Sequence, residues 1–141
     1  MDVWNANTTY PNINCYINWI AMPIYHSVSR CMIETQTFSG DATSDFTLND
    51  SVENYHWITF VYRDNDLRMG STSLDNAQDK VINCLSIGAL RDTVVFKESS
   101  WKLNKTQAII QSYGECNTIG DSKVVVKNIH VLAVYGYKLI N

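Results

Sequence analysis

This sequence is short of charge. Lys, Arg, Asp and Glu make up 18 % of its 141 residues, below the roughly 25 % usual for soluble domains. Much of the surface must therefore be uncharged and polar, or covered in an oligomer. The net charge is −3, and no Lys/Arg cluster occurs, which removes the basic footprint a nucleic-acid partner needs. No apolar stretch approaches the roughly 18 residues of a membrane-spanning helix. The opening Met1-Asp2-Val3-Trp4-Asn5 has neither the basic start nor the apolar run of a secretory leader. The cysteines Cys15, Cys31, Cys84 and Cys116 form no C-x-x-C pair, which argues against a structural zinc site. Four cysteines in an oxidising compartment allow three disulfide connectivities. Without a leader, buried free thiols are the expected state, since cysteine often behaves as a small core hydrophobe. No helical 3.6-residue periodicity persists for ten residues anywhere.

What is present is β-strand sequence. From Tyr55 to Tyr62 nearly every residue is aromatic or β-branched, the types that suit a pleated, half-buried surface. Acidic and turn-forming residues bound the run on both sides, so it reads as a strand of about eight residues. Ile58, Phe60 and Tyr62 share one face, and Trp57, Thr59 and Val61 the other. Both faces are apolar, which predicts a second sheet over one and a neighbouring subunit over the other. Beyond residue 24 turn signals recur about every eight to twelve residues, the rhythm of a β-sandwich or barrel. Strands are predicted around 31–38, 45–48, 67–74, 81–87, 93–97, 101–103 and 107–113, with loops at 63–70, 75–80, 97–105 and 114–121. Residues 122–140 read as a final near-continuous strand, with Ile129, Val131, Ala133, Tyr135 and Tyr137 on one face. Gly136 within it marks a bulge or a close backbone approach. Residues 1–22 read as the terminal strand or strands of a preceding module. Met22-Pro23 is the boundary, and 23–141 form an antiparallel, jelly-roll-like β-sandwich.

Catalytic motifs are weak. Gly120-Asp121-Ser122 has the look of an esterase nucleophile block, but it lacks an α/β chain and a His far enough downstream. Asp64-Asn65-Asp66 begins like a calcium loop and then fails, because Leu67-Arg68-Met69 supplies neither the central glycine nor the later ligands; a hairpin turn is the better reading. His26, His56 and His130 are isolated. No pair among the 14 acidic residues stands out as the paired acids of a glycosidase, so no enzyme activity, cofactor or metal is expected. N-x-[ST] triplets at Asn7, Asn49 and Asn104 suit chance in an Asn-rich chain. Aromatic faces pack against the apolar faces of sugars, and Trp57, Trp101, Tyr113, Tyr25 and Tyr62 would serve if exposed. The 97–105 segment combines Trp101 with polar groups, so Trp101, Ser100, Lys102 and Asn104 are the predicted ligand-binding residues, against a core role for Trp101.

Pro11 to Ala21, ending in Ile17-Asn18-Trp19-Ile20-Ala21, resembles the closing strand of H-type-lectin-like modules. Pro23-Ile24-Tyr25, Phe38-Ser39-Gly40, Thr47 to Tyr55 and Ile129 to Lys138 resemble segments of the small C-terminal receptor-binding domains of bacteriophage tail fibres and tail spikes. These motifs specify turns and core positions, so no site residue transfers. The resemblance implies a homotrimeric tail-fibre tip on the virion, acting outside the cell by adhesion to a bacterial surface polysaccharide or protein. A secreted carbohydrate-binding lectin and a trimerisation cap without its own ligand are the alternatives.

Overall fold

The computed structural model describes residues 14–17, 29–90, 93–118, 122–123 and 128–140. Among the described residues ten strands run in chain order. They are β1 (Asn14–Ile17), β2 (Ser29–Ala42), β3 (Phe46–Thr47), β4 (Trp57–Asp64), β5 (Met69–Asp75), β6 (Val81–Leu90), β7 (Thr93–Asn104), β8 (Gln107–Asn117), β9 (Ser122–Lys123) and β10 (Ile129–Ile140). A 3-10 turn, Val52–Asn54, capped by the Ser51 side chain, leads into β4. One sheet has the order β1-β2-β10-β4-β5 and the other β3-β8-β7-β6, with β9 on β8; every pairing is antiparallel. The predicted all-β sandwich is therefore the observed fold. The last long strand, β10, returns to the middle of the first sheet between β2 and β4, and β3 pairs with β8 in the second. The pairs β4–β5, β6–β7 and β7–β8 join strands consecutive in the chain.

The core lies between the sheets and alternates as a pleat requires. On β4, Ile58, Phe60 and Tyr62 are buried and Trp57, Thr59 and Val61 are half-buried, so the two faces separate as the sequence predicts. Phe60 meets Phe46 at 5.8 Å and Trp101 at 6.0 Å between ring centroids, with Leu48, Val52, Ile82, Leu103 and Val134 completing the cluster. β6 is the outer strand of its sheet, and its free edge is blunted from the other sheet. There the Tyr62 hydroxyl donates to the Leu85 carbonyl (2.8 Å) and accepts from the Leu85 N–H (3.1 Å).

The structure corrects the sequence reading at several places, among them the loop expected from residue 114, where β8 continues to Asn117. Residues 97–105 are not a loop: β7 runs unbroken from Thr93 to Asn104. The predicted single face of the last strand is split. Val131 opposes Tyr62 and Ala133 opposes Val61, so Leu132 is the extra residue of a bulge. Past it the facing reverses: Ile129 and Val131 point inward before the bulge, and Val134 and Gly136 after it, while Tyr135 and Tyr137 stand on the outside. Gly136 is a close approach rather than the bulge, for a Cβ there would lie 2.5 Å from the Tyr55 ring. Of the terminal unit placed at 1–22, Asn14–Ile17 adds to the edge of the first sheet; the Met22-Pro23 boundary lies outside the described residues.

Candidate functional site

Trp101 is fully buried, with 0 % exposure, so no ring face is open for a sugar to stack on; this corrects its assignment as a ligand contact. Trp is among the largest apolar surfaces in the chain, and the inward phase of β7 places it between the sheets. Its neighbours scatter. Ser100 is buried and shares a 2.6 Å hydroxyl contact with Ser112. Lys102 is exposed on β7. Asn104 accepts a hydrogen bond from Gln78 Nε2 at 3.2 Å at the end of the strand. The four predicted residues form no common surface.

Two polar constellations that sequence reading missed come together instead. The first closes one end of the sandwich interior. Asp64 continues the inward phase of β4 and is fully enclosed. Its Oδ1 accepts the backbone N–H groups of Asp66 and Arg68, both at 2.9 Å. Its Oδ2 accepts Arg68 Nε at 2.9 Å and Ser86 Oγ at 2.6 Å. Gly88 on β6 has no side chain to block the Arg68 guanidinium lying over it. Lys97, buried on β7, donates to Asn65 Oδ1 and Asp66 Oδ2, each at 2.6 Å. Burial pushes the Asp64 carboxyl up, but the Ser86 and Arg68 hydrogen bonds, the Arg68 charge and the Asp66 N–H outweigh it and hold it below its ordinary value. Asp66 is lowered chiefly by its hydrogen bond with Lys97, against some desolvation. With both carboxylates engaged by these donors, the cluster acts as a structural clamp. It fixes the β4–β5 hairpin to the opposite sheet, and the hairpin turn expected at Asp64-Asn65-Asp66 is what forms.

The second constellation is the outer face of the first sheet, where register lines up two rows of side chains across four strands. Glu34, Tyr137, Trp57 and Asp75 are successive cross-strand partners; so are Gln36, Tyr135, Thr59 and Ser73. Trp57 and Tyr137 stack at 5.3 Å with planes 13° apart. Both are half-buried, as is Tyr135, between exposed polar residues at the ends of the rows. Gln36 Nε2 donates to the Tyr135 hydroxyl at 3.3 Å, and Thr59 Oγ1 and Ser73 Oγ share a 2.6 Å hydrogen bond. Burial, then the hydrogen bond to Glu34, pushes the Tyr137 hydroxyl up to about 12, so it is a neutral donor at physiological pH. At one end of the face Arg63 Nη2 reaches Asp41 Oδ2 at 2.9 Å, and His130 Nδ1 meets Asp41 Oδ1 at 2.5 Å. The carboxylates Glu34 and Asp75 sit at opposite ends of one row, about 14 Å apart along three strand spacings, wider than the roughly 5–9.5 Å of a glycosidase pair.

The remaining candidates are quickly placed. His56 Nδ1 accepts the Leu139 N–H at 3.0 Å; His26, Tyr25, Gly120 and Asp121 lie outside the described residues. Among the described residues no group of three or more His, Cys, Asp or Glu is arranged to hold a metal ion, and no helix is long and apolar enough to cross a membrane. No protein-family model, curated protein or solved structure matches the chain. A signal for the outer face did exist in the sequence: Trp57 and Thr59 on one strand and Tyr135 and Tyr137 on another. Only the bulge at Leu132 put the two pairs on the same side.

Proposed function

We propose that the chain is a non-enzymatic adhesion domain at the tip of a bacteriophage tail fibre, binding a glycan or protein on the bacterial surface through the outer face of the first sheet. The observation that carries this reading is the pair of rows Glu34–Tyr137–Trp57–Asp75 and Gln36–Tyr135–Thr59–Ser73. A sugar site needs an apolar ring surface with polar groups converging around it, and these rows supply both on strands, not loops. The surface is preorganised by its own hydrogen bonds, which lowers the ordering cost of binding. Carboxylates at both ends of the first row favour a neutral or amino-bearing sugar over an anionic polymer.

Three copies on one fibre would turn weak contacts into firm attachment by raising the effective concentration of the second and third sites. The apolar surface suited to burial between copies lies on the second sheet, where Leu85 and Ile87 are 49 % and 54 % exposed beside the half-buried Phe96. That stripe also favours the second reading, a trimerisation cap without a ligand. A glycan array and a whole-cell binding assay on the purified chain separate the two. The adhesion reading expects Trp57→Ala to weaken cell binding at least tenfold with the melting temperature held within a few degrees. Unchanged binding by Trp57→Ala refutes this face as the contact surface. Light scattering that finds a stable monomer at micromolar concentration refutes the trimer.

A further inference from the structure

The backbone register brings two of the four cysteines together. In the ladder between β1 and β2, Cys15 is the direct antiparallel partner of Cys31. Directly opposed residues of an antiparallel pair have Cα atoms about 4.5 or 5.5 Å apart, depending on the type of pair. Their Cβ atoms lie on the same side of the sheet. Both spacings fall within the roughly 4.4–6.8 Å between Cα atoms that a disulfide spans.

The other two cysteines are placed so that they cannot pair with each other. Cys84 is fully buried on the inner side of β6, and its thiol is pushed strongly up by burial. Cys116 is exposed on β8, with β7 between the two strands. Each of the three two-bridge connectivities of four cysteines needs Cys84, whose thiol is enclosed on the inner side of β6. A single bridge remains.

We propose that Cys15 and Cys31 form a cross-strand disulfide that staples β1 to the edge of the first sheet when the chain enters an oxidising medium. β1 is four residues long and pairs on one side only, so few ladder hydrogen bonds hold it. The bond closes the chain between residues 15 and 31 and ties the N-terminal segment to β2, which is itself paired along its length with β10. The chemistry is thiol–disulfide exchange with a low-molecular-weight disulfide such as oxidised glutathione. One cysteine thiolate attacks the glutathione disulfide, forming a mixed disulfide and expelling one glutathione thiolate. The second cysteine thiolate then attacks the protein sulfur of that intermediate and expels the other. Two protein thiols are oxidised, one small disulfide is reduced to two thiols, and the two protons released from the cysteines pass to the departing thiolates.

The sequence allows a clean test. Arg30 is the first Lys or Arg of the chain and Arg63 the next, so trypsin separates Cys15 on the peptide 1–30 from Cys31 on the peptide 31–63. The full chain is incubated under native conditions with oxidised glutathione, blocked with an alkylating reagent, digested without reduction and analysed by mass spectrometry. The expected result is peptides 1–30 and 31–63 joined, at a rate independent of protein concentration, with Cys84 and Cys116 recovered as thiols. Cys116→Ser must leave the linkage intact, and Cys31→Ser must release peptide 1–30. Four recovered thiols, separate glutathione adducts on Cys15 and Cys31, or linkage of either residue to Cys116 would each overturn the proposal.

Discussion

Removing the Asp64 carboxylate tests the polar clamp most directly. Asp64→Ala deletes a fully buried group that accepts four hydrogen bonds from Asp66 N–H, Arg68 N–H, Arg68 Nε and Ser86 Oγ. Hydrogen bonds to a charged group contribute about 1.5–3 kcal/mol each, but they do not add here. The Arg68 side chain is 37 % exposed and can be rehydrated, and so can the Asp66 N–H. Ser86 is buried and cannot. Removing one member of a buried ion pair costs about 3–5 kcal/mol, and the rehydration places this case near the lower end, at about 3 kcal/mol. In urea, with a slope of about 1–3 kcal/mol per molar, the unfolding midpoint should fall by about 1–3 M. The pH dependence carries a second, independent reading. The folded Asp64 carboxyl is held below its ordinary value of 3.8, so its contribution is present above the unfolded value and is lost as pH falls through the lowered folded value. The stability gap between wild type and Asp64→Asn should therefore be constant from pH 5 to 8 and narrow below about pH 4. A midpoint shift of Asp64→Ala below about 0.3 M, or two curves that stay parallel down to pH 2.5, would refute the clamp.

Three further changes probe the packing. Gly136→Ala puts a Cβ 2.5 Å from the Tyr55 ring, which is itself held by Asp50 through a 2.8 Å hydrogen bond. It should cost about 1–3 kcal/mol by overpacking, and Tyr55→Leu in the same chain should recover part of the loss in a thermal melt. Phe60→Ala should cost about 3–5 kcal/mol; an unchanged melt would mean the inner face of β4 is misassigned. Trp101→Ala should cost a similar amount. Trp101→Phe should cost markedly less, because the indole Nε1 is the one buried side-chain polar atom without a hydrogen-bond partner among the described residues. Chemical denaturation that ranks the two Trp101 variants equally would remove that argument.

The local pattern of the chain was sufficient for the class of fold and for the central strand. Period-two alternation in Ile58-Thr59-Phe60-Val61-Tyr62 is a property of neighbouring residues, and it assigns the inner face without reference to anything distant. Asp64 continues the same phase, so its burial was legible in principle, yet a buried carboxylate is tolerable only when cations and donors surround it. Those come from Arg68, Ser86 and the loop backbone, whose convergence no local pattern reports. The 97–105 segment misled for the opposite reason: its polar side chains suggested a loop, but pairing with both β6 and β8 makes residues 97–104 part of an inner strand and turns Trp101 inward. The aromatic rows depended on one extra residue. Leu132 reverses the facing of everything after it on β10, and a bulge exists only relative to a partner strand, here β4. The meeting of Cys15 with Cys31 is decided the same way, by the register of β1 against β2. Side-chain periodicity is encoded residue by residue, whereas register between strands is set by the sum of pairings across the sheet, and so only the folded chain fixes it.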